Sequence, residues 1–468
     1  MPFYKSIKQI RSAVKNDLNQ LSKVTEDVLK ALDSRGKALN AVSFLDKEFS
    51  NFQAQELKKD KPDLPLYGVP LAHKELFGRV KINDGAWPNE GGSESLKGEL
   101  AKQTASVIHY LDQAGAVDCG RLVSVEFGLG VTGHNEYSGT PKNPWNENYV
   151  CGGSSSGSSS IVASGIVPAA LGSDTGGSVR LPAAACGLVG IKPTQGLISR
   201  NGVFPLSETL DTVGPLARSV EDAAEILQII AGYDPVDQLS IDIEIPDFKF
   251  GMDNGISGLK IGLPEKYFLR GSDAEMSDFT FSSFRISEKL GAKCCDIVIP
   301  DIESTNELNM LLISTEAAKL HKETVISKHK FLNEQTLMRI LPGMFTKDSD
   351  LQKLKQFRID YISRILSEVF TKVDVIMTPV WPVSLPKIDE SDVGANPEAN
   401  HLVKRVGHNT RPINFLGLPS ICLPTGFDKN GLPVSVQLIG KPFSEKTLIR
   451  VARTLEREYC FWDNKPDK

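Results

Sequence analysis

No stretch of this 468-residue chain approaches 18 consecutive apolar residues, so nothing in it reads as a membrane span. Cysteine is sparse. The seven residues, Cys119, Cys151, Cys186, Cys294, Cys295, Cys422 and Cys460, are irregularly spaced and form no CxxC pair. That pattern argues against a disulfide framework and against a zinc site, and favours buried reduced thiols. HExxH is missing, and no His, Asp and Glu cluster has metal-ligand spacing, so metal-dependent hydrolysis is not indicated. There is no basic block and the net charge is −5, which gives nucleic acid no electrostatic footing. The first residues lack the apolar centre of a secretory signal. They carry Lys and Arg with no acid before Asp17, a pattern shared with mitochondrial presequences, so the expectation is a cytoplasmic location with a mitochondrial one left open.

What is present suffices for a large core: 40% of residues are hydrophobic and 24% charged. Spacings of three and four among Ile7, Ile10, Val14, Leu18 and Leu21, then Val24, Val28, Leu29 and Leu32, predict two amphipathic helices within 5–33. A strand at 39–46 and a charged helix at 47–60 follow. Leu66, Val69 and Leu71 predict a short buried strand that ends on His73, Lys74 and Glu75. After a Gly-, Asn-, Ser- and Glu-rich loop, a helix over 104–114 stops at Gly115, and residues 126–145 read as a long ordered loop.

Residues 214–232 read as one helix. Beyond them the pattern predicts strands at 259–264, 294–301, 374–380, 419–426 and 432–440. Helices are expected near 273–290, 304–327, 351–371 and 445–459. Alternation of this kind predicts an α/β fold. With no repeat and no separating linker, the expectation is a single domain over 1–468: helices at 1–60, a motif-bearing core at 64–220, and the remainder at 221–468.

The most informative stretch is 149–194, where glycines and serines alternate with short apolar segments that need burial. Two formal motifs lie in or near it. Gly128–Gly133 matches GxGxxG, but HNEYSGTPKNP follows and cannot open the helix that a dinucleotide site requires. Gly153–Gly157 matches GxSxG, whose chemistry needs an acid and a histidine downstream. His321 and His329 read as solvated surface, and His408 has no evident acid to orient it. His73 reads as a structural histidine.

Serines without a histidine leave lysine as a base. Half-neutral lysine near pH 7.5 needs a downward shift of roughly 3 units, about 4 kcal/mol, which burial supplies. Lys74 ends the apolar VPLAHKELF segment, where a solvated lysine would be out of place; a buried stem with a surface head is the alternative. In LGSDTGGSVRLP, two glycines before Ser178 leave backbone N–H groups free to converge on one point, as an oxyanion hole requires, although a plain Gly-rich turn has the same composition.

Together these pieces resemble the amidase signature family. The resemblance rests on Gly68-Val-Pro-Leu-Ala-His-Lys74, on Gly152-Gly-Ser-Ser-Ser-Gly-Ser158, on Gly172-Ser-Asp-Thr-Gly-Gly-Ser-Val-Arg180 and on the segment from Gly187 to Ser199. It continues through TLDTVGPLARSVEDAA, TRPINFLGLPSICLPTGF and LPVSVQLIGKPF, so it spans essentially the whole chain. It implies an α/β amidase signature fold, with a mixed, twisted central sheet covered by helices. It also implies a Ser–cisSer–Lys triad: Ser178 as nucleophile, Ser154 as bridging serine on a cis peptide, and Lys74 as base. The N–H groups of Thr175, Gly176, Gly177 and Ser178 are then the oxyanion donors. Asp174, Arg180 and Ser155 are structural support, and no cofactor or metal is implied.

The function so implied is hydrolysis of a carboxylic amide to an acid plus ammonia or an amine. The alternative is the glutaminase component of a tRNA-dependent amidotransferase, which belongs to the same family. That component usually has Asp three residues before the Thr of TxPxN, as an anchor for glutamine, whereas counting back from Thr410 reaches Gly407. Its arginine-bearing Gly-Thr-Tyr stretch has no evident counterpart in 330–360, and TRPINFLGLP reads more like free-standing amidases. The expected partner is a small-molecule amide, with no direct nucleic-acid or membrane contact. A homodimer, or the other amidotransferase subunits under the alternative, would complete the assembly. Pocket walls are expected in the apolar loops 200–210 and 335–345.

Overall fold

A computed structural model describes residues 4–59, 63–81, 85–396 and 398–466. Helix Ile7–Asn16 starts at Ser6, whose hydroxyl accepts from Gln9 N while the Gln9 side chain accepts from Ser6 N. Helix Asn19–Ala31 follows, and the two bury Ile7, Ile10, Val14, Leu21, Val24, Val28 and Leu29, as the spacing predicts. The charged helix spans Lys47–Leu57, and the remainder of the predicted 47–60 helix includes Asp60, which lies outside the described residues.

These helices pack on a three-stranded sheet of β1 (Val42–Phe44), β2 (Val69–Lys74) and β3 (Ala116–Leu122), ordered β1-β3-β2. β2 runs parallel to β3, with Val69 opposite Ala116 and Lys74 opposite Leu122. The sequence pattern does not predict β3, because Asp118 and Arg121 interrupt its apolar run. Both are nonetheless buried: Arg121 Nη1 lies 2.9 Å from Asp118 Oδ1, and Arg79 Nε lies 2.7 Å from Asp118 Oδ2. Mutual pairing lets the charges sit inside.

A hairpin of β4 (Lys142–Asn143) and β5 (Asn146–Val150) precedes the main sheet. That sheet contains β6 (Ala169–Ser173), β7 (Val189–Lys192), β8 (Val213–Ala217), β9 (Lys260–Leu263), β10 (Lys293–Asp296), β11 (Val375–Pro379), β12 (Ser420–Phe427) and β13 (Pro433–Gly440). Its order is β10-β9-β11-β13-β12-β7-β8-β6; β9 is parallel to β10 and β11, and the remaining pairs are antiparallel. The fold is therefore mixed α/β. Strands β6, β7, β8, β11 and β13 are buried at every position, so both faces of the sheet are covered. Helices Arg180–Ala185, Val220–Ile230, Ala274–Lys289 and Glu445–Tyr459 pack on it.

Several expected elements differ in extent: the strand read over 39–46 is only Val42–Phe44, and the one read over 294–301 is only Lys293–Asp296. The helix read over 214–232 begins only at Val220, where Ser219 accepts from Asp222 N as its cap. The GPLA segment before it is part of β8 and pairs with β6, Leu171 opposite Pro215. The helix read over 304–327 is split at His321 into Thr305–Leu320 and Lys322–Lys328. With Glu334–Ile340 and Asp348–Glu368 these helices build a second apolar cluster, around Leu312, Ala317, Ile365 and Phe415, beside the loops described next.

Candidate active site

β2 and β6 run side by side, tied by Leu171 N donating to His73 Nδ1 at 3.2 Å. His73 is buried and its pKa falls to about 3 through loss of solvation, so it holds strands together as a neutral ring. The next residue, Lys74, is fully buried. Its Nζ donates to Ser154 Oγ at 2.7 Å and to Ser173 Oγ at 2.9 Å. Burial brings Lys74 down to about 7, against the opposing charges of Asp211, Asp174 and Glu75. A surface head for this lysine is thereby ruled out. Glu75 is lifted to about 7 by burial, although Ser124 N and Oγ both donate to it.

Ser154 follows a cis Gly153–Ser154 peptide bond and precedes the helix Ser156–Ala163. Gly153 N donates to Val131 O at 2.8 Å and Val125 N to Ser154 O at 3.2 Å, which fixes the loop on both sides. Ser155 straps this loop to the second one: its N–H donates to Ser178 O at 3.3 Å and its hydroxyl to Ser173 O at 3.4 Å.

The second loop, Asp174–Val179, is organised by a buried carboxylate. Asp174 accepts from Gly177 N at 2.8 Å, Val179 N at 3.1 Å, Arg180 Nε at 3.0 Å and Asn414 Nδ2 at 2.7 Å. Burial acts to raise its pKa, but the Arg180 charge and hydrogen bonds outweigh that and hold it well below the usual carboxylate range. Arg180 reaches on to Gln437 Oε1 at 3.1 Å and Asn414 Oδ1 at 2.5 Å. Thr175 Oγ1 donates to Asp211 Oδ1 at 2.6 Å. One expected oxyanion donor is engaged elsewhere, since the Gly177 N–H is spent on Asp174. The N–H groups of Thr175, Gly176 and Ser178 have no acceptor among the described residues.

Ser178 is 5% exposed, and its hydroxyl has no hydrogen-bond partner among the described residues. It lines a cavity of about 400 Å³, while Ser173 and Asp211 line a neighbouring one of about 420 Å³. The two share Gly128, Thr175 and Leu206. Arg200, Asn201 and residues 203–209 wall the second cavity, and Met338, Arg339 and Pro342 wall the first, so both stretches expected as walls contribute, although 335–345 is helical rather than a loop, Met338 and Arg339 lying on the helix Glu334–Ile340. Lys74 and Ser154 are therefore bonded, whereas no bond joins Ser154 to Ser178. Ser173, Asn414, Gln437 and Asp211 went unassigned in the sequence. Asn414 lies within the TRPIN segment, and Ser173 closes a buried strand, which are the only signals they offered.

The histidines are not where a catalytic triad needs them. His321 is buried rather than solvated, stacked on Phe204 with ring centroids 5.2 Å apart, and its Nε2 is 2.8 Å from Pro205 O. His408 stacks on Tyr267 at 4.0 Å. The cysteines are all free; Cys119, Cys151, Cys186 and Cys422 are buried as expected, but Cys295 and Cys460 are exposed. No described helix is long and apolar enough to cross a membrane.

A family model described as Amidase matches residues 23–449. The A component of the glutamyl-tRNA(Gln) amidotransferase of Carboxydothermus hydrogenoformans is 34% identical over 491 residues, covering 99% of each chain. Its namesake from Thermotoga maritima has been solved; it is 29% identical, with a TM-score of 0.81 over 99% of this chain and 95% of that one. A chain from a vestigial protein complex, studied for the origins of an s-triazine catabolic enzyme, is 27% identical with a TM-score of 0.88, covering 97% and 98%.

Proposed function

The chain belongs to the amidase signature family and is an amidohydrolase acting on C–N amide bonds, and on that premise we propose that it works through an acyl-enzyme on Ser178. The observation that carries the proposal is the 2.7 Å bond between Lys74 Nζ and Ser154 Oγ, made where burial keeps half the lysine neutral near pH 7. Neutral Nζ donates an N–H to Ser173 and turns its lone pair to Ser154, whose O–H becomes the donor across the same 2.7 Å contact. As Ser178 Oγ attacks the amide carbon, its proton passes to Ser154 Oγ, and the Ser154 proton passes to Lys74. The charge on the carbonyl oxygen is met by the N–H groups of Thr175, Gly176 and Ser178. The proton then returns through Ser154 to the leaving nitrogen, and water resolves the acyl-enzyme by the same route. Asp174 and Arg180 act on the loop and never on the substrate.

The test is labelling by a serine-directed fluorophosphonate. Wild-type protein takes one label at Ser178 and Ser178→Ala takes none; undiminished labelling of the variant moves the nucleophile elsewhere.

Of the two settings weighed from the sequence, the curated relatives favour the amidotransferase component over a free-standing amidase, since they carry that component's name over the full length. In that setting the protein releases ammonia from an amide inside a complex. Co-purification from the native source with partner subunits that confer amidation of acyl-tRNA supports it; a lone active protein overturns it.

A further inference from the structure

Three carboxylates act on the lysine base, Asp211, Asp174 and Glu75, and their situations differ. Asp174 is tied to Arg180 at 3.0 Å, and Glu75 is lifted to about 7 by burial and held by Ser124. Asp211 makes no ion pair among the described residues. The other charged groups lining its cavity are Arg200, Glu208, Asp237 and Lys355. Both cations are engaged elsewhere, Arg200 with Asp237 at 2.6 Å and Lys355 with Glu316 at 2.7 Å. Asp211 Oδ1 accepts from Thr175 Oγ1 at 2.6 Å, and its Oδ2 accepts from Leu206 N at 2.8 Å and Ser207 N at 3.0 Å. Burial pushes the Asp211 pKa up, but these three donors and the Arg200 charge favour the ionised form.

The same segment holds the catalytic loop by a second route. Thr212, next in the chain, accepts from Asp174 N through its carbonyl at 2.7 Å, so residues 211–212 hold 174–175 by side chain and main chain together. That hold is itself anchored. The Ser207 hydroxyl donates to buried Glu316, and Thr209 N donates to the same carboxylate at 2.9 Å, which fixes the segment before Asp211 on the helix Thr305–Leu320. Thr175 and Gly176 carry N–H groups with no acceptor among the described residues. A displacement of Thr175 by about 1 Å would turn both away from a carbonyl oxygen, an error that costs about 100-fold in rate. Asp211 also lines the cavity that Ser173 lines, and Ser173 Oγ accepts from Lys74 Nζ at 2.9 Å.

We propose that Asp211 is a positioning residue for the reaction at Ser178: its carboxylate holds Thr175 so that the oxyanion N–H groups stay aimed at the reacting carbonyl, and its unpaired negative charge acts on Lys74. The inference rests on the Ser178 acyl-enzyme and gives a residue outside the triad the task of joining the proton acceptor to the oxyanion donors. Burial drives the Lys74 pKa down, and the charge of Asp211 is the foremost of the three that oppose it. Removing that charge lets the lysine become neutral at a lower pH.

The experiment follows the rate at which a fluorophosphonate phosphonylates Ser178 from about pH 5.5 to 9, a reaction that uses the same proton path and sets its P=O oxygen where the carbonyl oxygen would lie. In wild-type protein the rate rises through a midpoint near 7. Asp211→Asn is expected to lower the plateau about 10-fold or more and to move the midpoint down by about one pH unit. Thr175→Val breaks the hydroxyl link alone, so its plateau falls while the midpoint stays in place. Thr175→Ser keeps the hydroxyl and recovers most of the rate. An unmoved midpoint in Asp211→Asn, or a wild-type plateau in Thr175→Val, overturns the proposal. If Asp211→Asn does not fold, Thr175→Val against Thr175→Ser still decides, because Asp211 keeps its two backbone donors in both. Peptide mapping of the label keeps the two failures distinct. Label away from Ser178 brings down the acyl-enzyme reading, whereas label on Ser178 with unchanged rates in the variants brings down the Asp211 assignment alone.

Discussion

Gly177 and Thr410, more than 230 positions apart, are packed so closely that a methyl group on the glycine would stand 2.3 Å from the threonine hydroxyl oxygen. Gly177 also has φ +125, a conformation that side chains rarely adopt. The threonine is not free to yield, because its hydroxyl donates to Gly176 O at 2.8 Å. Gly177→Ala must therefore shift the loop that carries Ser178. The expected outcome is a protein that folds with about 1–3 kcal/mol less stability and turns over at least 100-fold more slowly, as misplacement of a reacting group by about 1 Å does. Steady-state kinetics with a urea titration checks both; wild-type turnover would show that the loop position is not what Gly177 is for.

Lys74 makes the pH profile a direct test of the base. Its charged form predominates below about 7, and only the neutral form accepts a proton from Ser154. For the free enzyme, kcat/KM should fall about tenfold per pH unit below a midpoint near 7 and level off above it. Lys74→Arg fixes the charge and should lose several orders of magnitude at every pH. A flat profile through this range, or an active Lys74→Arg, removes the lysine from the mechanism.

What the sequence reveals here depends on whether a residue acts through its neighbours in the chain or through distant ones. The core motifs are contiguous, so Lys74, Ser154 and Ser178 could be named, and the amphipathic helices at the start follow from spacing alone. β3 was hidden because Asp118 and Arg121 read as polar interruptions, and part of the pairing that buries them comes from Arg79, on another segment. Ser173 could not be seen as a partner of Lys74, since 99 residues separate them and only the packing of β2 against β6 joins them. Arg411 stands in the TRPIN wording that carries the resemblance and Arg339 in the 335–345 stretch expected as a pocket wall, but neither was given a role of its own, because the cavity they share forms only when distant segments come together.

The same lysine should cost stability. A basic group whose folded pKa lies below its ordinary 10.5 is charged in both states at low pH, and there the folded state bears the whole penalty. The penalty shrinks as pH rises from about 7, because the unfolded chain still holds the proton, and it vanishes near 10.5. Lys74→Met keeps the apolar stem, so it should be inactive yet unfold at a higher temperature than wild type at pH 6, with the advantage narrowing by pH 9. Lys192 is also brought to about 7 by burial, but it titrates alike in both proteins and cancels. Glu75 acts in the same direction, since losing the Lys74 charge raises it further and adds cost only at the higher pH. Melting curves at the two pH values decide; a variant less stable at pH 6 than at pH 9, relative to wild type, contradicts the burial argument.

Asp174 and Arg180, 3.0 Å apart and wholly buried, separate stability from activity in the opposite way. Arg180→Leu leaves an uncompensated carboxylate and should cost about 3–5 kcal/mol at neutral pH. Asp174→Leu with Arg180→Leu removes both charges and should recover part of that loss. Activity should not return with it. The carboxylate also holds Gly177 N and Val179 N, and without it nothing in the loop fixes the direction of the neighbouring Ser178 N–H. In wild-type protein the pair adds stability above the ordinary carboxylate pKa of about 4, and that contribution is lost as pH falls below it, because Asp174 is held low. The double variant should therefore show a shallower acid-denaturation limb in a urea series from pH 5 to pH 2.5. Recovery of both stability and turnover in the double variant would mean that the pair serves packing alone.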